Sequence, residues 1–233
     1  FAPPVVISSA LQGQPFAVDA DGDGDLDVLQ EEAFPPTTRV WLIENSGIGN
    51  QFPRRIVVDL AQGLRRAVPI DVDSDGLPDL VTQDDTIAGP GVRLNLGGGN
   101  FGPPARLSTS FPTDFIVTDV VDFNADGRVD LLVRSSGSSG SLRWVEKLGP
   151  LDFAPSRVLA DGFLSPRLDD LDGDGLLDVI AGNSYRLQTS PGILGSFERI
   201  APGLPAPRPD GLADFDGDGD LDAWVSVLGP AVY

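Results

Sequence analysis

The chain has 233 residues, of which 41% are hydrophobic and 22% are charged, which is enough apolar material for a buried core. It carries 35 Asp and Glu against 16 Lys and Arg, a formal net charge of -19, so nucleic acid and anionic membrane surfaces are disfavoured partners because both would be repelled. Cys and His are both absent, which excludes disulfides, thiolate nucleophiles, Ser-His triads and most zinc and iron centres. No run approaches the ~18 apolar residues of a membrane span, so no membrane insertion is expected.

A nonapeptide of the form D-x-[D/N]-x-D-G-x-x-D recurs five times along the chain. It occupies residues 19–27, 71–79, 122–130, 170–178 and 214–222, and successive copies begin 44 to 52 residues apart. In a tight loop with this spacing, the side chains at positions 1, 3, 5 and 9 and the backbone carbonyl at position 7 converge and offer only hard oxygen ligands. Glycine at position 6 allows the sharp turn, with a positive φ expected there. The spacing therefore predicts about five Ca²⁺ sites, one per loop.

The predicted ligands are the residues at positions 1, 3, 5, 7 and 9 of each loop. In chain order they are Asp19, Asp21, Asp23, Asp25, Asp27, Asp71, Asp73, Asp75, Leu77, Asp79, Asp122, Asn124, Asp126, Arg128, Asp130, Asp170, Asp172, Asp174, Leu176, Asp178, Asp214, Asp216, Asp218, Asp220 and Asp222. A single loop of this kind could equally be a solvated Asp-Gly turn, but five copies in one register favour metal binding. The third loop has only three acidic residues, so we expect it to bind most weakly, and the first and fifth, with five each, most tightly.

The residues after each loop decide between two kinds of calcium site. An EF-hand requires Glu at position 12, but the chain has Gln30, Thr82, Val133, Ala181 and Val225 there. Short apolar, β-branched runs follow each loop, and these are typical of a strand rather than a helix. The same observation disfavours a dockerin-type helical pair.

Taken in chain order, one repeat reads as strand, calcium loop, strand, variable connector, strand, Gly-rich turn and strand. The turns end at Phe52, Phe101, Phe153 and Phe197. Four antiparallel strands at this period predict an all-β chain that forms a five-bladed β-propeller, as one domain spanning residues 1–233. The strand at 1–8 would complete the last blade, which is incomplete where it reaches Tyr233. A part of a larger, seven-bladed ring is the alternative.

These motifs resemble the FG-GAP and VCBS repeat family, which includes the propeller head of integrin α subunits. The nonapeptide and the Asn-containing turns at 45–49 and 95–99 carry the resemblance, while Lys147 and Ser190 stand in place of Asn in the later turns. The resemblance implies calcium in hairpins on one face of the ring and ligand-binding loops on the other. It also implies a secreted or cell-surface protein.

Together these observations predict an extracellular calcium-binding propeller that recognises a glycan or a protein and is not an enzyme. The alternatives are a building block of a surface assembly or fibre, self-assembling through the incomplete last blade, and a scaffold domain of a larger secreted protein. Core packing is the favoured role for Trp144 and Trp224, whereas Trp41 could equally well stack on a sugar.

Overall fold

The computed structural model describes residues 15–34, 37–47, 51–60, 66–83, 90–107, 115–135, 140–161, 166–182, 184–200, 211–217 and 222–224. All regular structure in these residues is β-strand, as the sequence predicts. None of them forms a helix long and apolar enough to cross a bilayer. The predicted strand at 1–8 lies outside the described residues.

The strands form one sheet per repeat, and each sheet is antiparallel. The first sheet contains β1 (Pro15–Val18), β2 (Asp27–Phe34), β3 (Thr37–Ile43) and β4 (Arg54–Leu60). The second contains β5 (Arg66–Ile70), β6 (Asp79–Gln83), β7 (Pro90–Arg93) and β8 (Ala105–Arg106).

The third and fourth sheets each carry an additional two-stranded hairpin. The third repeat runs through β9 (Phe115–Val121), β10 (Asp130–Ser135), β11 (Leu142–Val145), the hairpin β12 (Lys147–Gly149) and β13 (Asp152–Phe153), and β14 (Arg157–Ala160). The fourth runs through β15 (Arg167–Asp169), β16 (Asp178–Ala181), β17 (Ser184–Arg186), the hairpin β18 (Gln188–Ser190) and β19 (Ile193–Leu194), and β20 (Glu198–Arg199). The described part of the fifth repeat is β21 (Gly211–Ala213) paired with β22 (Asp222–Trp224).

The strands that follow the second and third loops, β6 and β10, are apolar at successive positions because their sheets are covered on both faces. In β10, Leu131 and Val133 pack with residues of the second sheet, whereas Leu132 packs with residues of the fourth. In β6, Leu80 faces the first sheet and Val81 the third. The first four sheets therefore stack face to face in chain order, and their cores lie between neighbouring repeats.

The predicted repeat of four antiparallel strands is confirmed in the first four sheets. The pre-loop strands β1, β5 and β9 also contact one another in order, as inner strands of neighbouring blades would. Closure of the sheets into a ring is not seen within the described residues, so the number of blades stays a prediction.

Candidate metal centres

The first aspartate of each nonapeptide organises the loop backbone. Asp71 accepts the N–H of Ser74 on Oδ1 at 2.7 Å and the N–H of Gly76 on Oδ2 at 3.0 Å. The same carboxylate accepts the N–H of position 6 in the first, third and fourth loops. The position-6 glycines of these four loops have φ between 84° and 94°, as predicted, and Gly219 of the fifth lies outside the described residues. One carboxylate therefore fixes the turn of its own loop.

Position 4 also adopts the left-handed conformation, which the sequence reasoning missed. It is glycine in the first, fourth and fifth loops, but Ser74 and Ala125 occupy it in the second and third, with φ of 67° and 54°. Glycine at three of the five copies was the available signal. Because a side chain is strained in this region, Ser74 and Ala125 make these two loops more costly to form.

The aspartate at position 9 begins the second strand and ties the loop to a turn further along the chain. Asp79 accepts the N–H of Val72 on Oδ2 at 2.9 Å and the N–H of Asn95 on Oδ1 at 2.7 Å. The equivalent pairs of bonds are present at Asp27, Asp130 and Asp178. Burial raises the pKa of Asp79, Asp130 and Asp178 above its usual value, although these N–H donors oppose the shift.

Three carboxylates converge in four of the five loops. The residues at positions 1, 3 and 9 place one oxygen each within 4.8 Å of one another in the groups Asp19, Asp21 and Asp27; Asp71, Asp73 and Asp79; Asp170, Asp172 and Asp178; and Asp214, Asp216 and Asp222. In the first loop, burial is the main cause of the raised pKa of Asp21, and its carboxylate neighbours raise it further. Carboxylates this close repel one another, and the repulsion destabilises the loop unless the group binds a cation.

The donor set fits a hard divalent cation. It consists of carboxylate oxygens without nitrogen or sulfur, which is the coordination preferred by Ca²⁺. In the fourth loop, Oδ1 of Asp170 is buried and accepts no hydrogen bond, so one carboxylate oxygen of this group is already desolvated.

The position-5 aspartates lie outside these convergent groups and orient the residue two positions further on. Asp23, Asp75 and Asp174 are exposed, and each accepts the N–H of position 7 at 2.8–2.9 Å. Their role as ligands, and that of the position-7 carbonyls, stays a prediction. Asp218 and Asp220 of the fifth loop lie outside the described residues.

The third loop departs from the other four. Asn124 takes the place of the position-3 aspartate, and Arg128 stands at position 7. The guanidinium Nη2 of Arg128 lies 2.6 Å from Oδ2 of Asp126. This loop is not among the three-carboxylate groups of the described residues.

A set of turn residues links each of the first three loops to the next repeat, a role that the sequence does not predict for them. Asn95 Nδ2 donates to the carbonyl of Ala20, position 2 of the preceding loop, at 2.8 Å. Gln188 Nε2 donates to the matching carbonyl of Phe123 at 3.0 Å, and Lys147 Nζ to the carbonyl of Asp71 at 2.7 Å. All three side chains are at least 95% buried, and the backbone N–H of each is held by the position-9 aspartate of its own loop.

The turn residue of the fourth repeat is therefore Gln188, whereas the sequence pattern predicts Ser190 at this position. Gln188 follows Asp178 by 10 residues, whereas Asn95 follows Asp79 by 16, because the fourth repeat has a shorter connector between its second and third strands. A fixed offset from the calcium loop cannot find this position.

Other sequence candidates have structural roles. Trp144 is 1% exposed and donates from Nε1 to Asp130, so it belongs to the core. Trp41 donates from Nε1 to Glu32, and the guanidinium of Arg54 lies 5.2 Å from its ring centroid. One face of Trp41 is therefore occupied by its own chain. The side chain of Trp224 lies outside the described residues.

The comparisons with known proteins agree with the loop geometry. The family model for the FG-GAP-like repeat matches residues 71–133 and 122–181, which include the second, third and fourth nonapeptides. The chain contains FG-GAP-like repeats. The resemblance inferred from the nonapeptide and the turns is thereby confirmed, and the nonapeptide also occurs at 19–27 and 214–222, outside the matched region.

Similarity to individual proteins is more distant. No curated protein sequence gives a significant match to this chain. Among solved structures, the crystal structure of the V. cholerae biofilm matrix protein Bap1 is similar with a TM-score of 0.47 and 16% sequence identity. The similarity covers 91% of this chain and 34% of that one, so the chain spans about a third of the length of Bap1.

Proposed function

We propose that this FG-GAP chain is an extracellular calcium-binding domain whose loops at 19–27, 71–79, 170–178 and 214–222 each hold one Ca²⁺. The observation that carries the proposal is the convergence of the position-1, position-3 and position-9 carboxylates within 4.8 Å in these loops. Bound Ca²⁺ would neutralise carboxylates that otherwise repel one another and would stabilise the folded chain. Extracellular calcium modules typically have dissociation constants of about 10⁻⁴–10⁻³ M, which suits a protein outside the cell.

We further propose that the five repeats close into a five-bladed propeller. The support is the serial stacking of the first four sheets and the presence of the pre-loop and post-loop strands in the fifth. Closure would cover the outer faces of the first and last sheets and leave only short, protected strand edges.

The role that fits this arrangement is recognition of a glycan or a protein rather than catalysis. Among the described residues, the carboxyls whose pKa is raised are Asp21, Asp79, Asp130 and Asp178, and all four lie in the nonapeptide loops, where backbone N–H groups hold them. Their perturbation is therefore explained by the loops and does not call for a general acid. Ligand contacts would come from the variable connectors between the second and third strands.

Calcium titration by isothermal calorimetry tests the metal sites. Asp71→Asn removes the carboxylate that organises the second loop, and we expect the number of bound ions to fall by one. Asp59→Asn is the matched control, because Asp59 is an exposed residue of β4 that pairs with Arg39 outside any loop. Equal calcium uptake by wild type and Asp71→Asn would contradict the assignment of this loop.

A binding screen tests the recognition role. The whole chain would be applied to immobilised glycans and to candidate extracellular proteins, once in millimolar Ca²⁺ and once in chelator. We expect calcium-dependent retention, since the loops position the strands that carry the connectors. Turnover of a glycan in the same assay would instead favour an enzyme.

A further inference from the structure

The third loop has the backbone of a calcium loop but a different set of charges. Gly127 and Ala125 have φ of 84° and 54°, and Gly127 donates its N–H to Asp122 Oδ2 at 2.8 Å, as the equivalent glycines do elsewhere. Its acidic residues are Asp122, Asp126 and Asp130, and Arg128 lies among them. The loop is therefore formed in the usual shape while carrying fewer negative charges than its neighbours.

Arg128 is held at both ends of its guanidinium. Nη2 lies 2.6 Å from Asp126 Oδ2, and Nε donates to the carbonyl of Lys147 at 2.9 Å. The first contact is within the loop, and the second is to the turn after β11. The side chain is thus positioned by two groups that do not depend on a metal.

The carboxylate of Asp126 has further donors. Its Oδ1 accepts the backbone N–H of Arg128 at 2.8 Å, and its Oδ2 accepts Asn124 Nδ2 at 3.0 Å in addition to the guanidinium. Asn124 Nδ2 also donates to Glu146 Oε1 at 3.2 Å. In the second loop, by comparison, the described bond to the position-5 carboxylate is the single N–H of position 7.

The position-9 carboxylate of this loop, Asp130, also accepts an additional hydrogen bond from a side chain. Asp130 Oδ2 accepts the indole N–H of Trp144 at 2.8 Å as well as the N–H of Phe123 at 3.2 Å. Its Oδ1 accepts the N–H of Lys147 at 2.7 Å. Asn124 Oδ1, which is buried and accepts no hydrogen bond, is a single neutral oxygen and does not replace the converging carboxylates of the other loops.

We propose that the third loop is closed by the guanidinium of Arg128 and binds no calcium, so that one loop in the middle of the repeats stays formed without metal. The proposal rests on calcium binding by the other four loops. It reverses the expectation that all five loops bind. It also assigns Arg128 a positioning role in place of a backbone-carbonyl ligand.

Calcium stoichiometry of matched loop variants tests the proposal. Asp122→Asn and Asp71→Asn make the same change at position 1 of the third and second loops. We expect Asp71→Asn to lower the number of bound ions by one and Asp122→Asn to leave it unchanged. A loss of one ion in Asp122→Asn would overturn the proposal while leaving the proposed function standing. No calcium uptake by the wild-type chain would refute the proposed function.

A gain of binding makes the test independent of damage to the fold. The double variant Asn124→Asp, Arg128→Leu gives the third loop the residue types that the second and fourth loops have at these positions. We expect it to bind one additional ion. Arg134→Leu is the control, since Arg134 is an exposed arginine of β10 outside the loop, and it should bind as the wild type does. An unchanged stoichiometry in the double variant would contradict the role given to Arg128.

Thermal unfolding in chelator adds a readout that does not require calcium to bind anywhere. Without Arg128, the carboxylates of the third loop lose their internal cation, so Arg128→Leu should lower the Tm by about 2–4 °C in chelator while Arg134→Leu leaves it unchanged. In the double variant, the loss should be reversed by Ca²⁺. Equal Tm values for Arg128→Leu and Arg134→Leu in chelator would overturn the proposal.

Discussion

Removing the side-chain amide of Asn95 should destabilise the fold, because this amide forms a hydrogen bond between the second repeat and the loop of the first. Asn95 is 3% exposed, and its Nδ2 donates to the carbonyls of Ala20 at 2.8 Å and Pro78 at 3.2 Å, while its Oδ1 accepts the N–H of Gly97 at 3.0 Å. Each lost hydrogen bond costs about 0.5–1.5 kcal/mol net, and a buried carbonyl left without a donor costs about 1–3 kcal/mol. For Asn95→Ala we therefore expect a loss of about 2–4 kcal/mol in the free energy of unfolding.

Urea denaturation at a fixed calcium concentration measures this loss, and Asn100→Ala is the matched control. Asn100 lies in the same turn and donates from Nδ2 to the carbonyls of Gly97 and Gly98, but it is exposed, so its replacement should cost no more than about 0.5 kcal/mol. Asn95→Gln should cost less than Asn95→Ala, because it gives the second repeat the same residue type that the fourth repeat has at the equivalent position, Gln188. If Asn95→Ala costs no more than Asn100→Ala, the bond to Ala20 does not hold the repeats together.

Three further predictions concern the loops themselves. Because burial raises the pKa of Asp79, Asp130 and Asp178, their contribution to stability is fully present below the unfolded-state pKa of about 3.9 and is lost as pH rises through the folded-state values. In chelator, the free energy of unfolding should therefore fall as pH increases above about 4, and Ca²⁺ should oppose the fall. A free energy of unfolding, measured by denaturation in chelator, that increases between pH 4 and 7 would contradict this. Ala125→Gly should raise the free energy of unfolding by about 0.5–1 kcal/mol, since glycine relieves the left-handed strain at some entropic cost. Gly127→Ala should lower it by about 1–2 kcal/mol, because a Cβ there meets no atom within 4 Å and the cost is backbone strain alone; thermal melts of the two variants that shift in the same direction would count against the argument.

The strand order could be predicted because the nonapeptide fixes where each hairpin begins. Asp79, Asp130 and Asp178 each start the strand after their loop, and an apolar run follows at once. The run itself does not say which neighbour each side chain will meet. Leu131 and Leu132 are equally apolar, and only the stacking of three sheets sends one to the second sheet and the other to the fourth.

The links between repeats could not be predicted for a different reason. The residues that make them are chemically unlike, an Asn, a Lys and a Gln, and they lie at different distances from their loops. What they share is a backbone N–H held by a position-9 aspartate and a side-chain donor long enough to reach the preceding loop. That combination is a property of the folded chain. The role of Arg128 was hidden in the same way, since position 7 had been assigned through its backbone carbonyl.

The nonapeptide loops and the contacts between repeats share residues, and this gives the chain an expected order of unfolding. The first and second sheets meet where Asn95 bonds the first loop, whose carboxylates converge for a cation. The third and fourth sheets meet where Gln188 bonds the third loop, which Arg128 closes. In repeat proteins, stability is approximately a sum of contributions from the repeats and from the interfaces between them. Calcium in the first loop should therefore stabilise both the first repeat and its interface with the second. The third loop binds no calcium, so neither contribution should depend on calcium there.

Hydrogen exchange in chelator and in Ca²⁺ would resolve this difference strand by strand. Removal of calcium should reduce protection of the amides in β2 and β6 more than in β10 and β11, because the loop between β9 and β10 stays closed without metal. Arg128→Leu should lower the protection of β10 and β11 both in Ca²⁺ and in chelator, whereas Arg134→Leu should leave it as in the wild type. Equal loss of protection in both pairs of strands in the wild-type chain would mean that the third loop depends on calcium as much as the first does, and that its arginine contributes nothing to the junction.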